Sequence, residues 1–245
     1  MPSLATLEQK KLPTDNFGYS ATRLRDLQAT EYTLVTLIVD ATGSVAGFEK
    51  DMEGVIKAVV EACKYSPRAD NLMLRVVFFN TSLEEKHGFK LLQECSPGDY
   101  DQVLNPNGYT ALYDASTNGI EATNHYGKSL TKNDYAVNAI VVVITDGDDN
   151  ASTLSQKDVK KALADAVKGE NLESMVSILV GVNVQSAQLK DVLDKFHKDA
   201  GFTQFVAMAD ASAKKLARLA EFVSKSISSQ SQALGTGGPS KSLTF

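Results

Sequence analysis

"YTLVTLIVDATGS", Tyr32 to Ser44, decides the architecture. Eight residues rich in Leu, Val, Ile and Thr lead to an acid at Asp40, and two hydroxyls follow at alternate positions, Thr42 and Ser44, around Gly43. A run apolar on both faces marks a parallel strand covered on both sides rather than a half-exposed antiparallel one. Similar runs recur at "LMLRVVFFN" (Leu72–Asn80), "VNAIVVVITD" (Val137–Asp146), "SMVSILVGV" (Ser174–Val182) and, shorter, "TQFVAM" (Thr203–Met208). "GFKLLQEC" (Gly88–Cys95) is weaker and reads as an antiparallel edge strand.

Helical periodicity fills the intervals. Phe48, Met52, Val55, Val59 and Cys63 share one face, widened by Ile56 and Val60. A second helix starts just after Thr110 in "ALYDASTNGIEATNHYG". A third has Ser155 as N-cap and Gly169 as C-cap. A fourth turns Leu189, Val192, Leu193 and Phe196 inward and stops at Gly201, and a fifth covers about Ser212 to Ser228. Strands alternating with helices require right-handed crossovers, hence an α/β, Rossmann-like, doubly wound and mostly parallel sheet with helices on both faces and one antiparallel edge strand. The expected organisation is a polar N-terminal extension over 1–31, one α/β domain over 32–228 and a flexible Ser-, Gly- and Gln-rich tail over 229–245, which ends in the apolar "SLTF".

Composition narrows the functional classes. The 245 residues carry 25 Lys and Arg against 30 Asp and Glu, a formal charge of −5, and show no basic–aromatic stretch, which argues against nucleic acid as a partner. No window approaches a membrane span and "MPSLATLEQKKLPTDNFG" has no apolar segment of a secretory signal, so the expectation is a cytoplasmic protein with no membrane association. The two cysteines, Cys63 and Cys95, are expected as buried thiols.

Ligands of open parallel sheets bind beyond the carboxyl ends of the strands. There the first strand delivers Asp40, Thr42 and Ser44, and the third long strand delivers "TDGDDN", Thr145 to Asn150. The loop "NPNGYTALYDA" brings Thr110 to a helix start. All of these side chains bear oxygen, and His87, His125 and His197 fall elsewhere in the pattern. Oxygen-only ligation suits magnesium, manganese or calcium rather than zinc or copper. Each residue has a plain local alternative. Asp40, Thr42 or Ser44 can cap a helix, Asp114 suits a first helical turn, and Asp148 and Asp149 suit a solvated turn that Asn150 ties down.

Over residues 33 to 228 these segments, in this order, resemble the von Willebrand factor type A (vWA) domains of the intracellular prokaryotic and phage type. "DATGS" is similar to their Asp-x-Ser-x-Ser signature, while Thr110 in "GYTALYDA" and Asp146 in "VVVITDGDDN" match the rest of the metal-ion-dependent adhesion site (MIDAS). The resemblance implies that Thr42, Ser44 and Thr110 hold a divalent cation through hydroxyls, and that Asp40 and Asp146 bind directly or through water. Magnesium is the ion implied, with manganese or calcium as alternatives. Thr42 stands where the family usually has Ser; the hydroxyl is kept and a methyl added. The resemblance further implies a non-enzymatic protein-binding module. A partner's Asp or Glu would complete the ion's shell, in an adaptor beside an AAA+ ATPase or a kinase and phosphatase system of the stress-response kind.

Other readings leave specific residues to check. "GTGGPSKS" (Gly235–Ser242) resembles a phosphate-binding loop, but Ser240 replaces its second Gly and no strand leads into it. "IVDATG" resembles the first motif of haloacid-dehalogenase-type phosphatases, which need a second Asp where this chain has Thr42. A structural or assembly protein with an incidental metal site is the remaining alternative.

Overall fold

The structure is a computed structural model that describes residues 7–12, 17–169, 171–236 and 243–245. Its strands are β1 (Leu7–Lys10), β2 (Tyr19–Thr22), β3 (Glu31–Asp40), β4 (Leu72–Phe79), β5 (Leu83–Leu91), β6 (Ala136–Thr145), β7 (Met175–Gly181) and β8 (Gln204–Ala207). Its helices are α1 (Glu49–Lys64), α2 (Leu112–Thr131), α3 (Gln156–Lys168), α4 (Ala187–Ala200) and α5 (Ala213–Thr236). The strands form a single eight-stranded sheet in the order β1-β2-β5-β4-β3-β6-β7-β8. β3 lies between β4 and β6 and pairs parallel with both, so its end, Asp40, is central. The doubly wound α/β architecture read from the sequence is the one observed.

Alternation along β3 explains the layers. Val35, Leu37 and Val39 face one side and pack with Met52, Ile56 and Val59 of α1 and Leu219 and Val223 of α5. Ile38 faces the other and packs with Leu112, Ala115 and Ile120 of α2. Thr36, on the α2 side, is satisfied by Thr123, Oγ1 to Oγ1 2.7 Å. Gly119 lets α2 approach the sheet closely, since a Cβ there would lie 2.1 Å from Ile38 Cδ1. Each fully buried Val, Leu or Ile contributes about 1.5–3 kcal/mol relative to exposure, so burial on both faces holds this strand firmly in the sheet.

Several boundaries differ from expectation, each for a tertiary reason. The antiparallel strand β5 runs Leu83–Leu91 rather than Gly88–Cys95, and Leu92–Glu94 is a 3-10 turn. β5 pairs antiparallel with β4, and β2 and β1 extend the sheet beyond it. Gly88 permits this, because a Cβ there would sit 1.9 Å from the Ser20 carbonyl oxygen. Part of the polar N-terminal region is therefore strand. The fifth helix continues past Ser228 to Thr236. Gln230 is buried there and its Nε2 donates to Ser174 Oγ at 2.7 Å, while Arg68 Nε donates to Ser231 Oγ at 3.0 Å. Residues of a polar-looking tail thus find buried partners on the sheet and on the turn after α1. Phe245 rests edge-on against Phe222 with ring centroids 5.5 Å apart, and Leu243 and Phe245 of the apolar C-terminus pack against the core. Most of "GTGGPSKS" lies outside the described residues. In α4, Leu193, Phe196 and Ala200 turn inward, whereas Val192 is 38% exposed. The inward line of α4 falls at 193, 196 and 200, and Val192 stands beside it rather than on it.

Cys63 and Cys95 are free and buried, as expected. Among the described residues no helix is long and apolar enough to cross a membrane.

Candidate metal centre

β3 ends at Asp40, whose side chain is fully buried. Its Oδ1 accepts the Thr42 N–H at 2.9 Å and its Oδ2 accepts the Thr145 hydroxyl at 2.7 Å. The first bond is a local Asx turn that leads into the 3-10 turn Gly43–Val45, with Thr42 at its N-cap and Ser44 within it. The second crosses to the last residue of β6. Thr42 Oγ1 and Ser44 Oγ lie 2.9 Å apart, and Ser44 Oγ donates to Asp146 Oδ1 at 2.8 Å. One continuous group of oxygens therefore links Asp40, Thr42, Ser44, Thr145 and Asp146.

Thr110 reaches this group along a different route. The peptide N–H of Asn107 donates to the Ala41 carbonyl at 3.0 Å, and that of Ala111 donates to the Asn80 carbonyl at 2.8 Å. Gly108 takes φ +73° and leans on the turn after β4, where a Cβ would meet Thr81 Oγ1 at 2.7 Å. This left-handed close approach suits only glycine. Thr110 N donates to Asn150 Oδ1 at 2.8 Å, and its carbonyl accepts the N–H groups of Asn150 and Ala151. A Cβ on Gly147 would lie 3.5 Å from Thr110 Oγ1, which places that hydroxyl beside the turn that follows Asp146. All five candidate ligands thus meet at one end of the sheet, and Asn150 ties the loop down as expected.

The neighbouring acids have other work. Asp149 Oδ1 accepts the Tyr113 N–H at 3.1 Å, and Ser152 Oγ accepts the N–H groups of Tyr113 and Asp114 at 3.0 Å each. These two side chains cap α2, whose own N-cap residue, Ala111, has no side-chain oxygen. The sequence reading missed this role, because the cap comes from a segment about forty residues away. Asp114 accepts from Thr153 and Leu154 N–H groups and so holds the same loop from the other side. Asp148 is a turn residue that accepts the Asp149 N–H at 2.8 Å.

Electrostatics show what the centre would favour. Burial pushes the Asp40 carboxyl above its ordinary value against the hydrogen bonds it accepts. Burial, and secondly the charge of Asp40, push Asp146 up to about 6. Among the described residues no three His, Cys, Asp or Glu side chains converge, so the charged part of the set is these two carboxylates and the rest is hydroxyl. Two desolvated acids with no cationic side chain in the linked group fit a small hard cation, which would favour both ionised forms at once.

A pH dependence follows. Asp146 binds its proton more tightly in the folded chain than an ordinary aspartate, which titrates near 3.8. It therefore contributes stability below pH 4 that is lost as pH rises through about 6. Urea melts of the cation-free protein compared with Asp146→Asn should show this extra downward slope in the parent only. Added magnesium should reverse it, since cation and proton compete for the same carboxylate.

No protein-family model matches the chain, and no curated protein sequence is similar to it. Solved structures are similar in fold. The PilB minor pilin from Streptococcus sanguinis aligns with a TM-score of 0.60 at 16% identity, over 86% of this chain and 64% of that one. The pilus adhesin SpaC from Lactobacillus rhamnosus GG gives 0.59 at 9% identity, over 82% of this chain and 31% of that one. Proximal thread matrix protein 1 from the mussel byssus, in a structure with a zinc-occupied MIDAS motif, gives 0.51 at 19% identity, over 81% of this chain and 46% of that one. The chain spans less than two thirds of each of these proteins. What is common at these identities is the vWA-like α/β fold, and one protein that has it holds a divalent cation at the motif this sequence resembles.

Proposed function

We propose that the chain is a divalent-cation-dependent protein-binding module that grips a partner's Asp or Glu, and that it is not an enzyme. The observation that carries this reading is the linked oxygen group of Asp40, Thr42, Ser44 and Asp146, with Thr110 beside it. Thr42, Ser44 and Thr110 would hold the ion through hydroxyls, and Asp40 and Asp146 directly or through water. Bound there, magnesium, or else manganese or calcium, would supply a Lewis-acidic position for an outside carboxylate, because neutral hydroxyls, with carboxylates acting partly through water, leave coordination positions that only water fills. Asp40 holds Thr42 and Thr145 in place, and Asp146 aligns Ser44. Thr110 is presented from a loop pinned to Ala41 and Asn80.

Catalysis is disfavoured by the same contacts. Asp40 has both oxygens occupied and no exposed surface, and Thr42, standing where a phosphatase acid would be, is bound to Ser44. No Lys, His or Cys joins the linked group, and Asp146, whose carboxyl is pushed up to about 6, would be held ionised by the cation it binds and so would not serve as a proton donor. An adaptor role beside an ATPase or a kinase and phosphatase pair, in the cytoplasm, is the biological setting we attach to the module. It rests on the sequence resemblance.

Affinity capture on the immobilised full chain tests the reading. A specific protein should be retained in millimolar magnesium, released by chelator, and lost with Asp40→Ala. Equal retention with and without chelator would overturn the metal-dependent mode.

A further inference from the structure

The loop that carries Thr110 has no regular structure from Asp101 to Ala111, yet it must place one hydroxyl beside Asp146 and Ser44. Its second half is fastened at Asn107 to Ala41 and at Ala111 to Asn80. Its beginning is fastened by a different element. Glu53 lies on α1, the helix that starts directly after the Asp40–Ser44 turn, and is only 4% exposed. Its Oε1 accepts the Val103 and Leu104 N–H groups at 2.7 and 2.9 Å, and its Oε2 accepts the Gln102 N–H at 3.1 Å. Three successive peptide donors thus converge on a single buried carboxylate. Gln102 takes φ +54°, the left-handed conformation, and successive N–H groups beside such a residue form a concave anion nest. One helical turn further, Lys57 Nζ donates to Asp101 Oδ1 at 2.5 Å.

We infer that Glu53 is a positioning residue for the metal centre. It clamps the 102–104 segment to α1, so that the helix following the Asp-x-Thr-x-Ser turn and the loop bearing Thr110 move as one body. This rests on the cation-binding reading above. The physical argument is one of alternatives. Without the carboxylate, three N–H groups, of which that of Leu104 is buried, lose their acceptor. The loop must then open to water or rearrange. Either outcome leaves Thr110 with only its anchors at Asn107, Ala111 and Asn150. A cation held partly by neutral hydroxyls is sensitive to such displacement, because its ligands must stand at fixed distances. Residues that orient ligands typically change metal affinity by about 10–100-fold.

The test is manganese binding by the full chain, followed by electron paramagnetic resonance of the free ion. Glu53→Gln keeps one good acceptor oxygen and places an amide NH2 against a peptide N–H; it should weaken binding about tenfold. Glu53→Ala should weaken it further. Leu193→Ala, which destabilises the opposite face through α4, should bind manganese as the parent does and so controls for a general loss of stability. Folded Glu53 variants with parental affinity would overturn the inference while leaving the metal centre intact. A parent that binds no manganese would overturn the metal centre itself, and the inference with it. Should the variants fail to fold, hydrogen exchange on the parent decides. Manganese should slow exchange of the Val103 and Leu104 amides about fivefold or more, since coupling between two sites is reciprocal. Unchanged rates there would overturn the clamp.

Discussion

Asp146→Asn should make the cation-free protein more stable and at the same time insensitive to divalent cations. The two effects have one cause. In the parent, Asp146 ionises against burial and against the charge of Asp40, which is why its pKa rises to about 6. At pH 7.5 that ionisation costs about 1–2 kcal/mol after allowance for partial solvent access. Asparagine keeps the oxygen that accepts from Ser44 Oγ and discards the charge. For a domain of this size the cation-free melting temperature should rise by about 2–8 °C. In the parent, a cation at one hundred times its dissociation constant should add about 2.7 kcal/mol, because it binds the folded chain alone. In Asp146→Asn that increment should vanish. Differential scanning calorimetry with and without manganese reads both effects. A variant that is less stable than the parent without cation, and still stabilised by manganese, would remove Asp146 from the ligand set.

Arg75→Leu should cost about 3–5 kcal/mol, because it removes one partner of a buried ion pair and leaves the other uncompensated. Arg75 lies fully buried in β4. Its Nε donates to Glu85 Oε2 at 2.7 Å and its Nη2 to Asn118 Oδ1 at 2.9 Å. Glu85 Oε1 in turn accepts from Ser20 N and Ser20 Oγ at 2.9 and 2.6 Å. The guanidinium thus joins β4, β5, α2 and, through Glu85, β2. Leucine would fill the volume but leave the Glu85 carboxylate largely buried without its counter-charge. The double variant Arg75→Leu, Glu85→Gln should recover a good part of the loss, and urea melts of the full cycle measure the coupling. A single-variant cost below about 1 kcal/mol would show that the pair is not the tie between β2 and the rest of the sheet.

These two sites differ in how far the sequence exposes them. The metal-centre residues are legible because their types are restricted: an acid ending a continuous apolar strand, hydroxyls at alternate positions, glycines between them. The Arg75 network is not. "LMLRVVFFN" reads as a strand with or without its arginine, and nothing local marks Glu85 and Asn118 as its partners. Glu53 is equally silent, since an acid in the first turns of a helix is expected on dipole grounds whether or not a loop folds onto it.

By itself the sequence determined the four long parallel strands and the shorter fifth, the order of helices between them, the parallel wound sheet and the set of oxygen-bearing residues at its carboxyl end. Those follow from periodicity, from β-branched runs and from the rule that covered strands are apolar on both faces, all of which are properties of neighbouring residues. Only the tertiary structure decided the rest: that β2 and β1 continue the sheet past β5, that α5 runs on to Thr236, that Asp149 and Ser152 cap α2, and that Glu53 holds the loop leading to Thr110. Each of these depends on a polar group from a distant segment arriving at hydrogen-bond distance. A polar residue carries no mark in the sequence of whether its partner will be water or a buried donor, and that choice is made when the chain packs.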